Sequence, residues 1–174
     1  MSRAGSGSMP EPAPVLLLRP ASGGDEDFFA ALYRSTRDDL LSLLADRRYV
    51  DGLIAMQRQA QVAGYRERYP DAAYLVLELD GQAAGRLVTA CVDGALRVID
   101  LAVMPWARRQ GVARETLRRL QQEGLDLTLA VRRDNAAARG LYAALGFMPE
   151  GEEGAVLQLR WRAPRGETAA PAHR

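Results

Sequence analysis

A single cysteine and a single histidine in 174 residues set the first limits on this chain. Cys91 has no partner for an intramolecular disulfide, and His173 stands alone in a terminal stretch, so the usual Cys/His metal spacings and any histidine-dependent triad are excluded. A surplus of charge of one sign is equally lacking. The 23 Lys+Arg against 22 Asp+Glu leave a formal net charge of +1, too little for a whole-molecule field that would gather nucleic acid or an anionic membrane. No apolar run approaches the ~18 residues of a bilayer span, and no continuous apolar segment precedes the N-terminal prolines. The expectations are no metal, no nucleic-acid or membrane partner, and a cytoplasmic location. Cys91 lies in an apolar, strand-like run and reads as a buried structural thiol.

What is present suits one well-filled core: 48% of residues are apolar, in a chain too short for two ordinary domains. Residues 1–14 and 163–174 are poor in apolar side chains and read as a disordered leader and tail around a single domain, 15–162. Within it, Val15 to Arg19 reads as a strand closed by Pro20. Ser22 or Asp25 caps a helix that turns Phe28, Leu32 and Phe29 inward. A longer helical tract, Asp38 to Tyr69, carries Gly52 and an Arg47-Arg48 pair that suggest a break. Tyr74 to Leu79 and Ala83 to Val92 are strands joined by the turn signal Asp80-Gly81, and Asp93-Gly94 leads into a third strand from Leu96. Three strands joined by two tight turns are antiparallel neighbours. A helix from Val112, a strand Leu127 to Val131, a helix after Asn135 and the strands Phe147 to Glu150 and Ala155 to Trp161 complete an α+β fold. Its mixed, largely antiparallel central sheet is flanked by helices.

The chain is organised around Leu96 to Leu120, where an apolar strand ends at Pro105 and a basic, glycine-containing turn opens an amphipathic helix. A helix start carries unpaired N–H groups and partial positive charge. Gly111 and Ala113 let an anion approach the backbone, and Arg108 and Arg109 add fork-shaped donors. This is a phosphate cradle without the lysine and hydroxyl residue of a P-loop and without G-x-G-x-x-G, which excludes an ordinary ATP, GTP or dinucleotide site.

The segment Pro105-Trp-Ala-Arg-Arg-Gln-Gly-Val-Ala113, followed by Asn135-Ala-Ala-Ala-Arg-Gly-Leu-Tyr142-Ala-Ala-Leu-Gly-Phe147, resembles the two consecutive donor-site motifs of the GNAT superfamily of N-acetyltransferases. The first has the pattern Arg/Gln-x-x-Gly-x-Gly/Ala. The resemblance implies acetyl-CoA as co-substrate. Backbone groups of Leu101, Ala102 and Val103 would hold its pantetheine arm on a bulged strand that splays from the next. Arg108, Arg109, Gln110, Gly111, Val112 and Ala113 would hold the pyrophosphate. Asn135, an N-cap by its own position, would also hydrogen-bond the CoA arm, and Tyr142 would donate a proton to the departing thiolate. The helical tract after the first strand would flank the acceptor groove, where Asp38, Asp39, Gln57 and Tyr65 are available to meet an amine.

Some relatives carry a glutamate base earlier on the organising strand. Arg97 occupies that place here, so the base falls to Asp100, with Glu78 on a neighbouring strand as the other choice. The implied activity is acetyl transfer to a primary amine by direct attack in a ternary complex, the chain acting as a monomer or homodimer. Two alternatives stay open: transfer of another acyl group, and an inactive domain that senses CoA. A nucleic-acid patch over Arg108 to Arg119 is opposed by Glu115 and by the near-neutral total.

Overall fold

The computed structural model describes residues 14–42 and 46–165. Nearly all of the expected leader and most of the expected tail lie outside the described residues. Among those described, the strands β1 (Leu16–Pro20), β2 (Ala73–Leu79), β3 (Gln82–Val92), β4 (Ala95–Val103), β5 (Leu127–Arg132), β6 (Met148–Glu153) and β7 (Val156–Trp161) form one sheet in the order β1-β2-β3-β4-β5-β7-β6. Every junction is antiparallel except β4–β5. The two expected hairpins are present. Asp80 and Gly81 have φ of 52° and 80°, and Asp93 and Gly94 have 49° and 75°, the left-handed pairs that let two-residue turns follow the twist of their strands.

Helices α1 (Glu26–Arg34), α2 (Asp38–Leu41) and α3 (Arg47–Arg68) precede β2; α4 (Val112–Gln121) joins β4 to β5, and α5 (Ala136–Ala144) joins β5 to β6. Strand alternation divides the sheet between them. Leu77, Leu87, Leu96, Leu127 and Leu129 point into the main core with Leu117 and Leu120 of α4, and Leu141 and Tyr142 of α5 pack on the same cluster. The intervening Arg86 meets Phe29 of α1 and Gln61 of α3, so α1 and α3 cover the opposite face. There Tyr33, Val50 and Ile54 make a smaller cluster. No helix among the described residues is long and apolar enough to cross a membrane.

Four local expectations are corrected. The helical break falls before Arg47, and α3 runs unbroken through Gly52, because Asp46 caps it by accepting N–H bonds from Arg48 and Tyr49 at 2.8 and 3.3 Å. In α1 the buried residues are Phe29, Leu32 and Tyr33, with Phe28 only half-buried. Cys91 is exposed, since it lies on the last turnward residues of β3, beyond the reach of the core. Glu78 accepts from Arg19 Nε at 2.6 Å and stands on β2, separated from β4 by β3, so it belongs to the β1 edge and not to the organising strand.

Two glycines test this packing in opposite directions. A Cβ on Gly85 would sit 2.5 Å from the Ala102 carbonyl oxygen, whereas one on Gly52 would meet nothing within 4 Å. Urea unfolding should show Gly85→Ala destabilised by about 1–3 kcal/mol and Gly52→Ala stabilised by about 0.5–1 kcal/mol. A third test concerns acid. Both Asp25 oxygens accept from Arg19, at 2.7 and 2.9 Å, and this guanidinium, aided by the Ser22 N–H, holds the carboxyl well below its usual range. Its contribution is therefore complete above about pH 4 and lost on acidification. Asp25→Asn should lower stability at neutral pH and flatten the acid limb of a stability–pH curve.

Candidate acyl-donor cleft and acceptor side

One extra residue in β4 creates the site. Val88 faces Asp100 and Thr89 faces Val98, leaving Ile99 unmatched in the ladder. Before this bulge Leu96 and Val98 enter the core; after it Leu101 and Val103 do, so the bulge has reversed the parity of the strand. Strict alternation would send Asp100 into the apolar core. The bulge turns it to the α1/α3 face beside Arg86.

The same irregularity ends the parallel pairing. β4 and β5 are matched only at Leu96–Leu127, Arg97–Thr128 and Val98–Leu129, and beyond Val98 the strands part. The Met104 N–H donates to the Ala84 carbonyl at 2.8 Å, which fixes the ladder phase: Ala102, like Met104, directs its backbone groups to β3, while Leu101 and Val103 direct theirs to the gap. The nearness of the Ala102 oxygen to Gly85 agrees. Of the three expected strand residues, Leu101 and Val103 thus offer N–H and C=O groups to a ligand strand. Ala102 is occupied with β3.

At the end of the gap stands the N-terminus of α4. Arg109 and Gly111 both lie in the left-handed region, at φ 64° and 82°, folding the turn so that Gly111 serves as N-cap. The first intrahelical bond runs from Glu115 N–H to Gly111 C=O at 2.8 Å, and no side chain caps the helix, so the leading N–H groups of Val112, Ala113 and Arg114 point outward. They open on a cleft of about 450 Å³ that reaches from Val103 past the turn to Ala137, Gly140 and Leu141 of α5.

The side chains of the turn divide into two sets. Arg108 donates from Nε to the Val103 carbonyl at 3.0 Å and from Nη2 to the Ser35 carbonyl at 3.3 Å. Gln110 Nε2 donates to the Trp106 carbonyl at 2.7 Å. Both therefore brace the loop. Arg109 has no ion pair among the described residues, and neither has Arg114, which lines the cleft and which sequence reasoning passed over. A signal was available: a cation in the first turn of a helix opposes the macrodipole unless an anion sits there.

Asn135 caps α5, its Oδ1 accepting from Ala138 N–H at 3.1 Å. Tyr142 packs on the core with its ring 5.7 Å from that of Phe147, and its phenol donates no hydrogen bond among the described residues. Burial, and then the negative charge of Asp100, raise that phenol above its ordinary pKa. The same two causes push Tyr65 of α3 up to about 12, so the charge of Asp100 acts on both phenols. Its Oδ2 accepts from Arg86 Nε at 2.9 Å and lies 2.8 Å from Nη2. Tyr74, in the same cross-strand row as Asp100, has its OH buried without a partner among the described residues, and so has Gln57 Oε1 on α3. Asp39 is paired with Arg37 and does not join this group. Among the described residues no group of three or more His, Cys, Asp or Glu could hold a metal ion.

The cleft lies beside the N-terminus of α4 and is walled by α5, in a fold that known proteins share. No curated protein matches the sequence significantly, but solved structures share the fold. PaiA N-acetyltransferase from Thermoplasma acidophilum, in complex with coenzyme A, is 15% identical with a TM-score of 0.61 over 85% of this chain and 99% of its own. An acetyltransferase from Thermus thermophilus gives 16% and 0.61 over 84% and 96%. The ribosomal-protein-S18-alanine N-acetyltransferase of Escherichia coli gives 19% and 0.58 over 90% and 99%. The family model of the acetyltransferase (GNAT) family matches residues 32–147, a span that holds the bulged strand, the cradle, Asn135 and Tyr142. The chain belongs to the acetyltransferase (GNAT) family.

Proposed function

We propose that the chain transfers the acetyl group of acetyl-CoA to a primary amine of a small molecule or protein, by direct attack within a ternary complex. The observation that carries this reading is the parting of β4 and β5 after Val98, which leaves an unpaired strand edge at Leu101 and Val103 beside a cationic helix start. The pantetheine arm would add to that edge as an extra strand, using Leu101 and Val103. The pyrophosphate would rest on the leading N–H groups of Val112, Ala113 and Arg114, with Gly111 allowing close approach and Arg109 and Arg114 supplying charge. Arg108 and Gln110 would keep the turn in shape. Asn135 retains its Nδ2 for the CoA arm while its oxygen caps α5.

The chemistry asks for a free amine and a stabilised leaving group. An alkylammonium sits roughly 3 units above neutral pH, so its free base costs on the order of 4–5 kcal/mol unless a neighbouring acceptor takes the proton. Asp100, on β4 just after the bulge, would be that acceptor. Tyr142, with its raised pKa, holds its proton across the working range and serves the thiolate chiefly as a hydrogen-bond donor. The protein acts as a cytoplasmic monomer or homodimer without nucleic acid or membrane.

Thermal melting tests the donor site. Acetyl-CoA at a hundred times its dissociation constant should stabilise the protein by about 2.7 kcal/mol, ATP should not, and Arg109→Ala should weaken the effect. Absence of a shift with acetyl-CoA would remove the cradle as a donor site. Turnover tests Tyr142, by thiol release with a panel of primary amines. The chain contains no lysine, so it offers no ε-amine of its own to the acetyl group. Tyr142→Phe should lower kcat by roughly 10²-fold with little change in KM for acetyl-CoA. The wild-type rate should climb with pH as the amine loses its proton, with no fall attributable to Tyr142 below about pH 10.

A further inference from the structure

Arg86 is the least expected group on the acceptor side. It is a guanidinium only 4% exposed, in the middle of a strand whose neighbours are almost all apolar. Burying such a charge is costly unless it is paired. Its donors converge on one atom: both Nε and Nη2 lie within 3 Å of Asp100 Oδ2. Nη2 also reaches Gln61 Oε1 at 3.3 Å, and the guanidinium carbon lies 5.6 Å from the centre of the Phe29 ring. Arg86 therefore ties β3 and β4 to α1 and α3. Asp100 Oδ1 receives no hydrogen bond among the described residues and is not among their buried unpartnered atoms.

Asp100 follows the bulge residue directly, faces Val88 and Tyr74 in one cross-strand row, and acts electrostatically on Tyr65 and Tyr142. We propose that Arg86 is a positioning residue of the transfer site, pinning the Asp100 carboxylate through Oδ2 so that Oδ1 is free to take the proton of the attacking amine. In the step itself the amine nitrogen bonds to the thioester carbon and the carbon–sulfur bond breaks. The nitrogen's proton passes to Oδ1, the thiolate leaves hydrogen-bonded to the Tyr142 phenol and takes a proton from solvent, and Oδ1 returns its proton to solvent. Gln61 keeps the guanidinium from swinging away, and Phe29 covers its face. The proposal rests on Asp100 acting as the acceptor of that proton.

The rival account makes Asp100 no more than the neutralising partner of a buried cation. A double-mutant cycle separates the two. The full chain is assayed by thiol release with acetyl-CoA and butylamine, with stabilisation by acetyl-CoA as the control for folding. Arg86→Gln and Asp100→Asn should each lower kcat by about 10²-fold with KM for acetyl-CoA unchanged. The double variant, whose two amides can still bond, should be no slower than Asp100→Asn alone. Arg86→Lys should recover part of the rate. If Arg86→Gln lowers kcat by the same factor in both backgrounds, or lowers the melting temperature while kcat is kept, the pair is structural and the proposal falls. If the wild type releases no thiol with butylamine or with any amine of the panel above, the acetyl-transfer reading falls first and takes the proposal with it.

Discussion

The structure depends on a backbone hydrogen-bond constraint that is left incomplete at one place. A buried strand must pair its N–H and C=O groups on both sides, and β4 does so toward β3 along its length but toward β5 only as far as Val98. The groups of Leu101 and Val103 beyond that point form an edge in the middle of a sheet. Such an edge is normally a liability. Here the hydrogen bond from Arg108 to the Val103 carbonyl meets part of the demand, and the remainder is what a donor arm can use.

Several features follow from the one extra residue at Ile99. The bulge parts the strands, brings Leu101 and Val103 into the core, and carries Asp100 across to the α1/α3 face. Gly85 is the matching adjustment on β3, since the Ala102 carbonyl comes too near for any side chain. The single bulge thus shapes both faces of the sheet at this point. Toward α4 it leaves an open cleft, and toward α1 and α3 it leaves a carboxylate held by a buried guanidinium.

The charge pattern also has two purposes that composition cannot distinguish. Arg19 binds Asp25 and Glu78 and joins β1 to β2 and to the start of α1; Arg160 bridges Asp126 and Glu150 across the other end of the sheet. These are closed pairs. Arg109 and Arg114 have no such partner among the described residues, and they stand at a helix start whose dipole disfavours them. An unpaired cation in an electrostatically poor place is a better mark of a site than the number of arginines.

By itself the sequence determined the element order, the two hairpins, the helix start after Pro105 and the family, because these depend on local chemistry: Asp-Gly tolerates left-handed turns, Pro105 ends a strand, and Gly111 caps a helix without a side chain. The motifs that mark the family were legible because their residues are close in the chain. The bulge was not, since a run such as Val98-Ile99-Asp100-Leu101 is compatible with a plain core strand and only the competition between β3 and β5 for its backbone decides the register. The exposure of Cys91, the start of α3 at Arg47 and the removal of Glu78 to the β1 edge were tertiary outcomes too. So was the meeting of Arg86 with Asp100. Those two residues are distant in sequence and adjacent only because one strand slipped by a residue, and pairing across a sheet is set by the whole ladder, not by either strand alone.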